Sequence, residues 1–158
     1  TLKGINELFD LQLSNEQLRM YAVQIGADCP FFIENKPMLA TGIGEIFEPI
    51  DLDLSAYHIA IVKPNIHVST AEAYSEVNPK EHLYSLRDLI KSPIKEWQLQ
   101  NDFEQSVFAK YSAIEDLKKS LYKQGAVYAA MSGSGSSVFG LFDNRPNLNY
   151  TDCSFFLV

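Results

Sequence analysis

At 158 residues and 17.8 kDa the chain has the length of one domain, or of one and a piece, and 46% hydrophobic residues suffice for a packed core. Thirteen basic against 20 acidic residues leave a formal charge of −7 and a pI near 4.9, so nothing neutralises a phosphate backbone or an anionic bilayer, and neither nucleic acid nor membrane is an expected partner. Cys29 and Cys153 are too far apart for a disulfide framework or a metal ribbon, no apolar run approaches the roughly 18 residues of a membrane span, and no leader pattern opens the chain, which makes a reducing cytoplasm the expected compartment.

The chain begins at Thr1 directly in a helical pattern, Leu2, Ile5, Leu8 and Phe9, which reads as a cut edge. Ser14 and Gln17 form a capping box for a second helix, with Leu18, Tyr21, Ala22 and Ile25 as its apolar stripe and Gly26 as its stop. Pro37 to Ile50 reads as two short strands around Thr41-Gly42-Ile43-Gly44. Tyr57 to Lys63 is the clearest strand, apolar on both faces. Ser69 and Glu72 predict another capping box, and Pro79 to Pro93 holds a helix starting at Ser85. From Asn101 or Asp102 one long amphipathic stretch runs to Gly125, which a kink near Ser112 can interrupt. Val127 to Met131 and Val138 to Phe142 then form two strands around Ser132-Gly133-Ser134-Gly135-Ser136-Ser137, and Phe155 and Phe156 can add an edge strand. The mixture predicts an α+β fold, helices on one face of a mainly antiparallel sheet, with residues 1–54 set apart from residues 55–158.

Four places can carry chemistry. The turn from Ser132 to Ser137 offers glycines able to take positive φ and serine hydroxyls, which makes either an anion-binding nest or a plain hairpin loop. It is neither a dinucleotide fingerprint, since position 138 is Val, nor a Walker A loop, since no Gly-Lys-Ser/Thr closes it. Asp28 is either the N-cap of a short turn through Pro30 and Phe31 or a carboxylate able to take a hydroxyl proton. Tyr74 is either core or an exposed ring on which a base stacks. Asn101-Asp102-Phe103-Glu104 reads first as a helix cap with solvated carboxylates. His67 and Cys29 lack the neighbours that metal or nucleophile chemistry needs, and no metal ligand is assigned.

Five segments in order, Gly26-Ala27-Asp28-Cys29-Pro30-Phe31-Phe32, Ala40-Thr41-Gly42-Ile43-Gly44-Glu45, Lys63-Pro64 through His67-Val68-Ser69-Thr70-Ala71-Glu72-Ala73-Tyr74, Asn101-Asp102-Phe103-Glu104 and Met131-Ser132-Gly133-Ser134-Gly135-Ser136, resemble the GHMP small-molecule kinases. The resemblance runs from Thr1 to about Phe142 and is nearest to the branch serving non-mevalonate isoprenoid synthesis. It implies ATP-dependent phosphorylation of a hydroxyl on the methylerythritol moiety of a cytidine diphosphate substrate, with Mg²⁺ on the ATP phosphates. It makes Asp28 the catalytic carboxylate, Thr70 and Tyr74 substrate contacts with Tyr74 stacked on cytosine, and Gly133, Ser134, Gly135 and Ser136 the glycine-rich turn near the phosphates. It further implies a ferredoxin-like C-terminal domain over residues 55–158, preceded by the tail of an ATP-binding domain over residues 1–54. The family's lysine motif and main phosphate loop would precede Thr1, so the chain by itself is expected to be inactive. The alternative is a stand-alone α+β module that binds a small molecule or oligomerises.

Overall fold

A computed structural model describes residues 1–77, 85–151 and 153–158. They divide into two units, Thr1–Asp53 and Leu54–Val158.

In the first unit, helices α1 (Leu2–Leu8), α2 (Asn15–Val23) and α3 (Phe31–Glu34) precede a hairpin of β1 (Met38–Thr41) and β2 (Ile46–Pro49). The capping box forms: the Ser14 hydroxyl accepts from Gln17 N at 3.3 Å, and the Gln17 side chain accepts from Ser14 N at 2.9 Å. Leu18 and Ala22 of α2 pack with Ile33 of α3, but Tyr21 and Ile25 of the expected stripe are 51% and 69% exposed. The helix also stops before Gly26. Its last turn tightens at Gln24, whose N–H reaches Tyr21 O, and Gly26 needs no left-handed conformation. Asn6 braces the loop after α1, donating to Leu13 O at 3.1 Å and accepting from Leu13 N at 2.9 Å, as a strand partner would. In the hairpin turn Gly42 has φ +70° and Gly44 φ +105°, a region that favours glycine.

The second unit is a four-stranded sheet in the order β4 (Tyr128–Met131), β5 (Val138–Phe142), β3 (His58–Pro64), β6 (Cys153–Leu157), with every neighbouring pair antiparallel. Renumbered within the unit this is the strand order of the ferredoxin-like fold, in which the first strand lies between the third and the fourth. The first crossover is helical, through α4 (Thr70–Glu76), α5 (Leu86–Leu89), a 3₁₀ turn (Ile94–Glu96), α6 (Phe103–Lys110) and α7 (Ser112–Lys123). The helix expected to start at Ser85 forms as α5, whose cap is the Ser85 hydroxyl accepting from Arg87 N; the 79–84 segment before it lies outside the described residues.

Alternation sorts the sheet residues onto two covered faces. Ala60, Val62, Ala129, Met131, Val138 and Phe142 point to Val107 of α6 and to Ile114 and Leu121 of α7. Tyr128, Ala130 and Leu141 point the other way, to Ile94, Trp97 and Leu99, which is why the central strand reads as apolar on both sides. The α-helices α6 and α7 therefore take one face and the 94–99 segment, with its 3₁₀ turn, the other. Gly140 lets α7 lie close against β5: a Cβ there would stand 3.0 Å from the Phe142 ring, 3.3 Å from Ala126 Cβ and 3.5 Å from Leu121 Cβ.

The long amphipathic stretch is two helices, interrupted at Tyr111 (φ −127°, ψ 70°), beside the kink expected near Ser112; the Tyr111 ring joins the core while its hydroxyl lies 3.4 Å from Glu72. One expectation fails here. Ser69 stands at the N-cap of α4 without a side-chain cap bond, because Glu72 is drawn instead to Lys110 and Tyr111. Among the described residues no helix is long and apolar enough to cross a membrane.

Candidate active site

The chain leaves β3 at Pro64, runs through Ile66 and His67, and enters α4 at Thr70, while the turn joining β4 to β5 comes back beside it. Two hydroxyl contacts join these stretches. Thr70 Oγ1 and Ser134 Oγ lie 3.3 Å apart, and Ser136 Oγ donates to Ile66 O at 2.6 Å. Ser136 is 4% exposed, so its hydroxyl anchors the turn from within; Ser134 is half-buried.

Gly133 at φ +54° and Gly135 at φ +91° give the turn its shape. At position 135 a side chain would also meet Met131 Sδ at 2.8 Å. Two backbone donors are committed inside the turn, Ser132 N to Ser137 O at 2.8 Å and Gly135 N to Ser132 O at 3.0 Å. The plain-loop alternative thus accounts for part of the turn, and any nest draws on the remaining N–H groups.

Tyr74 lies one turn along α4 from Thr70. The core alternative fails for it: the ring is 64% exposed and only leans, edge to face, on Phe103 with centroids 4.8 Å apart. On the same helix, Glu72 accepts from Lys110 in a hydrogen bond that holds the Glu72 carboxyl below its usual range, against the opposing effect of desolvation; the Lys110 charge, the Tyr111 hydroxyl and His67 lower it further. Glu72 in turn raises the Lys110 ammonium.

Asp28 belongs to the first unit. The N-cap position of α3 is Pro30, with no side-chain cap bond, so the capping alternative for Asp28 is not realised. Asp28 is exposed and makes no hydrogen bond among the described residues; its Oδ1 would stand 3.3 Å from a Cβ at Gly44, which brings the carboxylate to the hairpin turn. That turn is closed by Glu45, which accepts from Ile43 N at 2.7 Å. A groove of about 500 Å³ on this unit is lined by residues including Arg19, Glu34, Met38 and Phe47 and does not include Asp28.

Asn101 and Glu104 do more than the helix cap and solvated carboxylates expected of their segment. Their spacing resembles a capping box, but the N-cap position of α6 is Asp102, and Asn101 Oδ1 accepts from Phe103 N, the first residue of the helix, at 3.0 Å. The Asn101 amide, however, donates to Met131 O and to Gly133 O, each at 2.8 Å, and Glu104 Oε1 accepts from Met131 N at 2.8 Å. Among the described residues no group of three or more His, Cys, Asp or Glu side chains could hold a metal ion.

Residues 83–149 match the family described as GHMP kinases C terminal. The antiparallel sheet, its helical face and the glycine–serine turn accompany that match, and residues 83–149 are similar to the C-terminal part of GHMP kinases. A 4-diphosphocytidyl-2-C-methyl-D-erythritol kinase of Bacteroides fragilis is 52% identical over 153 residues, covering 96% of this chain and 56% of that protein. A solved structure of 4-(cytidine 5'-diphospho)-2C-methyl-D-erythritol kinase superposes with a TM-score of 0.73 at 25% identity, covering 87% of this chain and 51% of that one. A homoserine kinase from Cytophaga hutchinsonii shares the fold, with a TM-score of 0.61 at 19% identity over 87% of this chain and 51% of its own. The chain spans a little over half the length of the curated relatives it matches.

Proposed function

We propose that this chain supplies the acceptor-binding part and the general base of an ATP-dependent kinase that phosphorylates a hydroxyl of 4-diphosphocytidyl-2-C-methyl-D-erythritol. The observation that carries the reading is the 52% identity, over nearly the whole chain, to a relative of that name. The geometry adds support: an exposed aromatic ring, a threonine hydroxyl and a glycine–serine turn lie along one stretch of surface, as a pyrimidine and its phosphates require.

In this reading Tyr74 stacks on cytosine, and Thr70 with Ser134 offers hydroxyl donors beside it. Gly133, Ser134, Gly135 and Ser136 shape the turn that approaches phosphate. Asp28 takes the proton as the acceptor oxygen bonds to the γ-phosphorus of ATP and the bond to the departing ADP oxygen breaks. Phosphoryl transfer is mainly positioning and charge stabilisation, so a base adds about 10²–10⁴-fold to a reaction whose partners are already held. Mg²⁺ would come with the nucleotide phosphates, whose charge it would neutralise; among the described residues no group of three or more His, Cys, Asp or Glu side chains could hold it. Residues 1–54 are, on this reading, the tail of the ATP-binding domain and residues 55–158 the C-terminal domain.

The test is a chimera in which this chain replaces the matching 56% of the Bacteroides fragilis relative. ADP release that depends on the cytidine diphosphate substrate is expected from the chimera and not from residues 1–158 alone. Asp28→Asn in the chimera is expected to lower kcat by about 10²–10⁴-fold with an unchanged melting temperature, because Asp28 caps nothing. A folded chimera that releases no ADP, or an Asp28→Asn variant of full rate, would overturn the corresponding part of the proposal.

A further inference from the structure

Among the described residues strand β4 lies at one side of the sheet and pairs with β5 alone, so its outward-facing backbone groups need partners from elsewhere. Side chains supply them. Tyr122 donates to Ala129 O at 3.2 Å, Glu104 accepts from Met131 N, and Asn101 donates to Met131 O. The last residue of the strand is thus held through both backbone polar groups by one four-residue segment. Asn101 goes a step further along the chain, because its second amide hydrogen reaches Gly133 O, inside the turn itself. Its donor and acceptor sites are then occupied together: two N–H bonds to the strand end and the turn, and one Oδ1 bond to the start of α6. Glu104 is held from behind by Lys118, whose Nζ stands 2.6 Å from Oε2, with both side chains largely shielded.

We infer that Asn101 and Glu104 are positioning residues: as a clamp on Met131 and Gly133 they set the shape of the glycine–serine turn and hold Ser134 at Thr70. The role in phosphoryl transfer rests on the function proposed above; the clamp itself does not. Met131 is the hub. Its backbone is gripped by the clamp, and its sulfur sits where a side chain on Gly135 would go, so a shift at the strand end passes directly into the turn. A helix cap alone would need neither the amide group of Asn101 nor the carboxylate of Glu104.

Amide hydrogen exchange on the 158-residue chain separates clamp from cap. Asn101→Ser keeps an oxygen able to accept from Phe103 N at the start of α6 but cannot span two carbonyls. Ser132 and Gly135 N–H, both bonded within the turn, are expected to exchange about 10- to 100-fold faster, with α6 and α7 unchanged. Asn101→Asp keeps size and the acceptor oxygen and turns a carboxylate toward two carbonyls, so its effect at the same amides should be larger. Glu104→Ala should quicken Met131 N–H, and Glu104→Gln, which retains the acceptor, should restore it. In the chimera Asn101→Ser is expected to lower kcat about 10-fold or more while KM for the cytidine substrate moves less. Unchanged exchange in the turn, or equal quickening throughout α6 and the sheet, would overturn the clamp. Quickened exchange with full kcat would overturn its positioning role. An inactive chimera of native sequence would sink the kinase reading and leave the exchange pattern to decide the clamp.

Discussion

Tyr74 carries the sharpest consequence of a single side chain. Its ring leans edge-on against Phe103 and leaves its surface open, so removing it empties no core. Stacking of a base on an aromatic ring is worth about 1–3 kcal/mol by alanine substitution, or roughly 5- to 150-fold in affinity. Tyr74→Ala in the chimera is therefore expected to raise KM for the cytidine substrate within that range and to leave KM for ATP and the melting temperature nearly unchanged. Tyr74→Phe should act as the native residue, because the ring surface makes the contact. A fall in melting temperature with unchanged KM would return Tyr74 to a packing role. Asp28 and Tyr74 were both ambiguous from sequence because a cap, a core ring and a ligand contact use the same residue types. Only exposure and the identity of the α3 cap separate them.

Elements were legible in proportion to how local their causes are. The Ser14 box closes within one turn, the β1–β2 hairpin needs only its glycines, and the two strands around the glycine–serine turn are neighbours in sequence. The Ser69 box failed because Glu72 found Lys110 on another helix, and the 101–104 segment looked like a cap because its partners begin at Met131. Long-range hydrogen bonds leave no trace in spacing. The face of the sheet opposite the helices makes a measurable case of burial. Tyr128 lies there between Trp97 and Phe139, and burial pushes its hydroxyl from 10.0 up to about 12, with Tyr122 and Glu104 adding to the shift. A raised folded value favours the protonated folded state, so this contribution is complete below pH 10 and is lost as pH rises through about 12. The loss is on the order of 2 kcal/mol. At neutral pH Tyr128→Phe should melt slightly lower, for want of the bond to Leu99 O, and the difference should shrink and reverse on approaching pH 12. Parallel melting curves of the two proteins across that window would show that the hydroxyl is not held neutral by its surroundings.

The whole molecule is uneven. In the first unit the buried apolar cluster is Leu18, Ala22 and Ile33, while Leu8, Ile25, Phe32 and Ile43 are each at least 65% exposed. The second unit buries side chains on both faces of its sheet. Opening free energy follows buried contact, so amides of residues 1–53 are expected to exchange about 100-fold or more faster than those of β3 and β5. Uniform protection along the chain would contradict this. The strand order has a further consequence for how the protein is made. β3 is the first strand of its sheet to leave the ribosome, yet its two neighbours, β5 and β6, are synthesised last, with pairs as distant as Ala60 and Leu157. Such pairing has a high contact order and forms late. During translation β3 waits with both edges open, and a nascent chain stopped before Cys153 still exposes one of them, an apolar template on which a second unfinished chain can add a strand.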